Sequence, residues 1–128
     1  MTVHTVGPNS DFPSIAAAMR VSGPGDTIRL ERGYSNETAT VAYSGMTITG
    51  GVYSHNILLN LGLGVATVTL AGRAPFDVND ASDGNGIVGN ARNNLITVTG
   101  GVDAVDGGLG VDRLVVDYRN AIGVSVVE

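Results

Sequence analysis

Asn85, Asn94, Asp103 and Asp112 are spaced nine positions apart. Ile87, Ile96, Val105 and Leu114 keep the same beat two residues later in each unit. Counting back from Ile87 reaches Val78, so Val78, Ile87, Ile96, Val105 and Leu114 form one expected inward column. A fixed short period of this kind is the mark of a stacked repeat, in which each unit buries its apolar face only against its neighbours. The clearest unit is Gly107-Gly108-Leu109-Gly110-Val111-Asp112-Arg113-Leu114-Val115.

Composition agrees with thin stacked coils. Hydrophobic residues make up 43% of the 128 residues, but aromatics only 5%, and there is no Trp. A core of Val, Ile, Leu and Ala suits narrow layers. Nineteen Gly against four Pro point to many tight turns. The formal charge is −5, and all seven basic residues are Arg, scattered along the chain. A nucleic-acid surface needs a clustered basic patch, so no nucleic-acid partner is expected. With no Cys, disulfides and thiolate chemistry are excluded. No apolar run reaches the roughly 18 residues of a membrane span, and no cleavable signal peptide is visible at the start.

Along the chain, residues 2–6 read as a short strand. Ser10-Asp11-Phe12-Pro13-Ser14 then reads as a helix start, with Asp11 or Ser10 as the cap and Pro13 in the first turn. Ile15, Ala18 and Met19 fall on one face of that helix, and Ser22-Gly23-Pro24-Gly25 stops it. A helix over the end of a β-stack is expected as a cap. Short strands follow: Thr27 to Leu30 with Ile28 and Leu30 inward, Thr38 to Ala42, Met46 to Thr49, Ile57 to Leu59, and Val65 to Leu70. Asp77, Asp80, Asp83 and Asp106 read as solvated turn residues.

The Gly107–Val115 unit resembles a repeat-in-toxin (RTX) nonapeptide, the hemolysin-type calcium-binding repeat GGxGxDxUx, with U a large apolar residue. Val98 to Asp106 keeps Gly101, Asp103 and Val105, and Gly86 to Ile96 resembles the Asn-rich degenerate units that flank good repeats. The N-terminal half is similar to the entry coil of right-handed parallel β-helices of the pectin-lyase-like type. Residues 12–18, Gly25-Asp26-Thr27-Ile28-Arg29-Leu30 and Gly33-Tyr34-Ser35-Asn36-Glu37-Thr38 carry that likeness. The resemblance implies an all-β, right-handed parallel β-helix or β-roll solenoid with a short N-terminal capping helix. It would be a single domain over 1–128, with helix-capped coils over 1–72 and RTX-like repeats over 73–128.

In RTX rolls two nonapeptides make one coil, turns eighteen residues apart stack, and calcium sits between them. Glycine carbonyls supply most of the oxygens and Asp carboxylates balance the charge. Carried onto this chain, the metal residues are Asp112, Asp103, Gly108, Gly110, Gly101, Asn94 and Asn85, with Asn94 stacked on Asp112 and Asn85 on Asp103. Each pair has one carboxylate where the family has two, so weak or incomplete sites are expected. For Asn85 and Asn94 an amide ladder or turn role is favoured over ligation. For Asp112 ligation is favoured, and Asp103 is balanced between the two.

The resemblance further implies a calcium-stabilised structural module of a secreted or cell-surface protein, exported by type I secretion. Its partners would be calcium and either the remainder of a longer chain or a second copy at the C-terminal edge. No enzymatic role is expected. His4 and His55 lie in no catalytic motif, no GxSxG elbow occurs, and no Lys is present for a phosphate-binding loop. Two other classes remain open. One is a polysaccharide-acting or carbohydrate-binding fragment using Arg29, Arg73, Arg92 or Arg113. The other is a metal-free adhesin unit held by Asn ladders.

Overall fold

The structure, a computed structural model, describes residues 2–51, 53–62, 65, 67–80, 86–99, 104–117 and 125–127. Its elements are β1 (Val3–Val6), α1 (Ile15–Met19), β2 (Thr27–Leu30), β3 (Glu37–Val41), β4 (Met46–Gly50), β5 (Ile57–Leu61) and β6 (Thr67–Gly72). They continue with β7 (Asp77–Asp80), β8 (Gly86–Val88), β9 (Leu95–Thr99), β10 (Ala104–Asp106), β11 (Arg113–Asp117) and β12 (Ser125–Val127).

After β2 the chain alternates between two parallel sheets. One runs β1-β2-β4-β6-β8-β10-β12 and the other β3-β5-β7-β9-β11. This is an all-β solenoid of about five turns with almost no helix. Inward positions alternate with outward ones along each strand, as in the buried–intermediate alternation of Met46–Gly50 and Ile57–Leu61. The inward side chains form one continuous core from Val6 to Val105, thin enough that Ile, Val and Leu fill it around a single fully buried Phe, Phe76.

Coil length is not constant. Val3 pairs with Thr27, Thr27 with Thr47 and Met46 with Val68, so the early coils span twenty-four, twenty and twenty-two residues. Leu58 pairs with Asp77 at nineteen, then Asp77 with Leu95, Gly86 with Ala104 and Leu95 with Arg113 at eighteen. The eighteen-residue coil is two nonapeptides, which changes the reading of the apolar column. Val78, Ile96 and Leu114 stack in the second sheet, whereas Ile87 and Val105 stack in the first. Alternate units face each other across the core instead of lining up in one row, because each nine-residue step crosses from one sheet to the other.

The N-terminal helix packs over β1, β2 and β3 and buries Ile15, Ala18 and Met19 as expected. Its cap differs from expectation. Ser14 is the N-cap, and its hydroxyl accepts from the Ala17 amide at 3.1 Å. Pro13 lies before the cap. Asp11 is held by Thr5, and Ser10 donates to Glu31, so neither is available to the helix. The polar run from Ala74 also differs. Asp77 and Asp80 belong to strand β7, with Asp80 fully buried and Asp77 half-buried on the outer face. Strand alternation around Val78 decides this, since residue 80 must share the inward side with 78.

Candidate functional site

Three segments follow first-sheet strands along one edge of the C-terminal half: 73–76, 89–94 and 107–112. The second and third stack eighteen residues apart, the first is entered at nineteen and left at eighteen, and Asn residues stitch all three. Asn94 is buried. Its Nδ2 donates to the Phe76 carbonyl at 3.1 Å, and its Oδ1 accepts from the Asn90 amide at 3.2 Å. Asn90 is also buried, and its Nδ2 donates to the Ala74 carbonyl at 2.8 Å and the Ala71 carbonyl at 3.3 Å. One coil on, Asp112 occupies the slot of Asn94, and its Oδ1 accepts from the Asn94 amide at 2.8 Å. Asn93 Oδ1 accepts from the Val111 amide at 2.7 Å.

Glycines let the upper two turns approach backbone to backbone. Gly108 and Gly110 have φ of 75° and 91°, in the left-handed region where a side chain is strained. A Cβ on Gly108 would collide with the Asn90 carbonyl oxygen and crowd that of Gly89. One on Gly89 would collide with the Gly107 carbonyl oxygen, and one on Gly107 would meet the Asp112 carboxylate. Carbonyls of Gly89, Asn90 and Gly107 and the Asp112 carboxylate thus line the joint between the two turns, each against a glycine where a side chain would collide.

Oxygen-only donors of this kind match the preference of a hard cation such as calcium. The donor set carries one formal negative charge, from Asp112, and one oxygen of that carboxylate already receives the Asn94 amide. Among the described residues, no three or more His, Cys, Asp or Glu are grouped to hold a metal. Any cation at this joint would have to draw most of its oxygens from backbone carbonyls. Of the expected metal residues, Asp112, Gly108, Gly110 and Asn94 come together here. Asn85, Gly101 and Asp103 lie outside the described residues, so the second expected pair does too.

Three carboxylates in the N-terminal half carry structural roles that sequence reading passed over. Asp26 Oδ2 lies 3.0 Å from His4 Nε2 in a buried pair and accepts the Gly23 amide, while Oδ1 accepts the Thr2 amide. The His4 hydrogen bond, followed by those two amides, holds the Asp26 carboxyl down at about 2. Glu31 accepts from the Asn9 side chain, the Asn9 backbone amide and Ser10, which lower its pKa in that order. Glu37 accepts the Ile15 amide at 2.7 Å and the Ala16 amide at 3.0 Å, together with the Tyr34 hydroxyl. Each acts across 21 to 24 residues, close to one early coil. That separation is the only signal in the sequence by which they were discoverable.

On the outer face of the second sheet, Asp77 sits in one column between Leu58 and Leu95, in a shallow depression of about 300 Å³ also lined by Asn79 and Thr97. Burial pushes its carboxyl above the usual range, partly offset by a hydrogen bond with the Leu95 backbone. None of the described helices is long and apolar enough to cross a membrane.

Comparison with protein-family models, curated proteins and solved structures finds no match to this chain. The functional reading therefore rests on the chain's own residues and geometry.

Proposed function

We propose that this chain is a calcium-binding structural module of a secreted or cell-surface protein of RTX type. The observation that carries the reading is the stacked pair of turns 89–94 and 107–112. Backbone carbonyls of Gly89, Asn90 and Gly107 and the Asp112 carboxylate line that joint, and a Cβ at 89 or 108 would strike a carbonyl oxygen of the neighbouring turn. Bound calcium would supply the positive charge those oxygens lack and would bridge two coils. Because an unfolded chain cannot gather these oxygens, binding would add to folding stability. A low-charge site of this kind belongs to the millimolar, extracellular range of calcium affinity.

The test is a thermal melt by circular dichroism in EDTA, in calcium titrated to about 10 mM, and in magnesium. Calcium is expected to raise the melting temperature, magnesium not to, and Asp112→Ala to abolish the rise. Identical melts in EDTA and calcium remove calcium from the function.

A metal-free structural solenoid is the second reading, and Asn94 favours it. Its amide group is satisfied at both ends by protein partners, so the ladder from Phe76 to Asp112 is complete without an ion. The same melts separate the two readings.

A further inference from the structure

The outward side of this turn edge has a chemistry of its own. The eighteen-residue register sets Ala91 and Leu109 at equivalent positions in successive turns, and Arg73 enters the turn before them from β6, which pairs with β8 at nineteen. Arg92 lies over Gly110, and Asn93 bonds the Val111 amide. Leu109 and Val111 are 75% and 79% exposed, the two most exposed large hydrophobic side chains among the described residues. Gly108 and Gly110, both at positive φ, bracket Leu109 in the tight turn that presents these tips to solvent.

Arg73 and Arg92 lie in the two preceding turns of the stack and Arg113 two residues after Val111, all exposed. None is within ion-pair distance of a carboxylate among the described residues, where the only ion pair is His4–Asp26. The nearby carboxylates are engaged with backbone: Asp112 accepts the Asn94 amide and Asp106 the Gly108 amide. A chain of net charge −5 thus gathers three of its seven arginines, unpaired, around two bare aliphatic tips.

A dissolved polyanion would use the arginines and leave the aliphatic tips in water. An anionic bilayer uses both. Apolar tips enter the boundary between headgroups and acyl chains, and guanidinium groups bind lipid phosphates in bidentate fashion. We infer that this edge is a peripheral docking surface for an anionic lipid bilayer, with Leu109 and Val111 as the inserted tips and Arg73, Arg92 and Arg113 as the phosphate contacts. The inference is independent of bound calcium, though the two share turn 107–112.

Vesicle flotation tests it, using phosphatidylcholine vesicles with and without phosphatidylglycerol. Each arm is run in EDTA and in calcium, with circular dichroism in each buffer to establish that the protein is folded. Folded protein is expected to float with the phosphatidylglycerol vesicles, to leave them as salt rises, and to ignore phosphatidylcholine alone. Leu109→Ser with Val111→Ser is expected to weaken partition about tenfold or more. Arg73→Gln and Arg92→Gln should each weaken it about fivefold. A Leu109→Trp probe should show blue-shifted emission on the anionic vesicles. Folded wild-type protein that stays off those vesicles in both buffers overturns the inference, whatever the calcium melts show. So does vesicle binding that the double Ser variant leaves unchanged, or retention on heparin without flotation.

Discussion

At the N-terminal end, Asp26, Glu31 and Glu37 reach across a coil and grip backbone amides with their carboxylates. At the C-terminal end, turns 89–94 and 107–112 meet backbone to backbone through glycine, and short amide side chains fill the joints. The two kinds of joint differ in reach. A Glu side chain has several rotatable bonds and can bridge turns whose spacing varies, and all three carboxylates span the first coil, where Val3 pairs with Thr27 at twenty-four residues. The glycine-lined joint between turns 89–94 and 107–112 lies where β8–β10 and β9–β11 both pair at eighteen residues, while the next coil, from Ala104 to Ser125, is twenty-one.

The sharpest way to break this comparison is to add the same methyl group to a glycine in each half. Gly33 and Gly108 both have positive φ, but a Cβ on Gly33 meets nothing within 4 Å. Gly33→Ala should cost about 1–2 kcal/mol of backbone strain. Gly108→Ala should add about 1–3 kcal/mol of overpacking to that strain. Urea melts of the two variants will compare them, and equal costs would refute close turn contact in the C-terminal half.

Next in size are the two kinds of staple. Glu37→Ala leaves the Ile15 and Ala16 amides and the Tyr34 hydroxyl without their acceptor, and should cost about 2–3 kcal/mol. Asn94→Ala removes one donor and one acceptor from buried backbone partners and should cost about 2 kcal/mol. Hydrogen exchange should show the Glu37 variant loosening α1 first and the Asn94 variant loosening the 89–94 turn first. Uniform loosening in both would mean that the halves unfold as one unit.

Asn94→Asp sharpens the calcium question. It restores a second carboxylate opposite Asp112 but loses the donor to the Phe76 carbonyl. In EDTA its melting temperature should fall below wild type, and the rise on adding calcium should be larger than in wild type.

The smallest effects are in pH dependence, and the two halves have opposite signs. The folded Asp26 pKa, about 2, is below its ordinary 3.8. Its contribution to stability is therefore present above pH 3.8 and is lost as pH falls toward 2. The folded Asp77 pKa is raised by burial. Its ionised form therefore disfavours folding, and stability falls as pH rises from 3.8 through the raised value. Asp26→Asn should flatten the acid limb of the stability profile. Asp77→Asn should raise the melting temperature slightly at pH 7 and leave it unchanged near pH 3.

Much of the architecture was legible because solenoid sequences state their own period. The stacking of Asn94 with Asp112 followed from counting eighteen residues, and the inward apolar residues from counting nine. Less legible were contacts whose partners sit in turns of unequal length. Nothing local marks Glu37 as the acceptor for a helix that starts twenty-two residues earlier, or Asp26 as the partner of His4. Asp80 was misread for a related reason. A charged residue in a run of turn formers looks solvated until the strand through Val78 fixes which way it faces.

The sequence by itself determined the repeat, the stacked parallel coils, the apolar column and the capping helix, because these follow from spacing and side-chain volume. Only the tertiary structure decided that alternate units of the column face each other from opposite sheets, which carboxylates staple the early coils, and that Leu109 and Val111 stand out among unpaired arginines. Those features depend on the path each turn takes between sheets. That path is set by backbone contacts between residues a full coil apart, which no local pattern encodes.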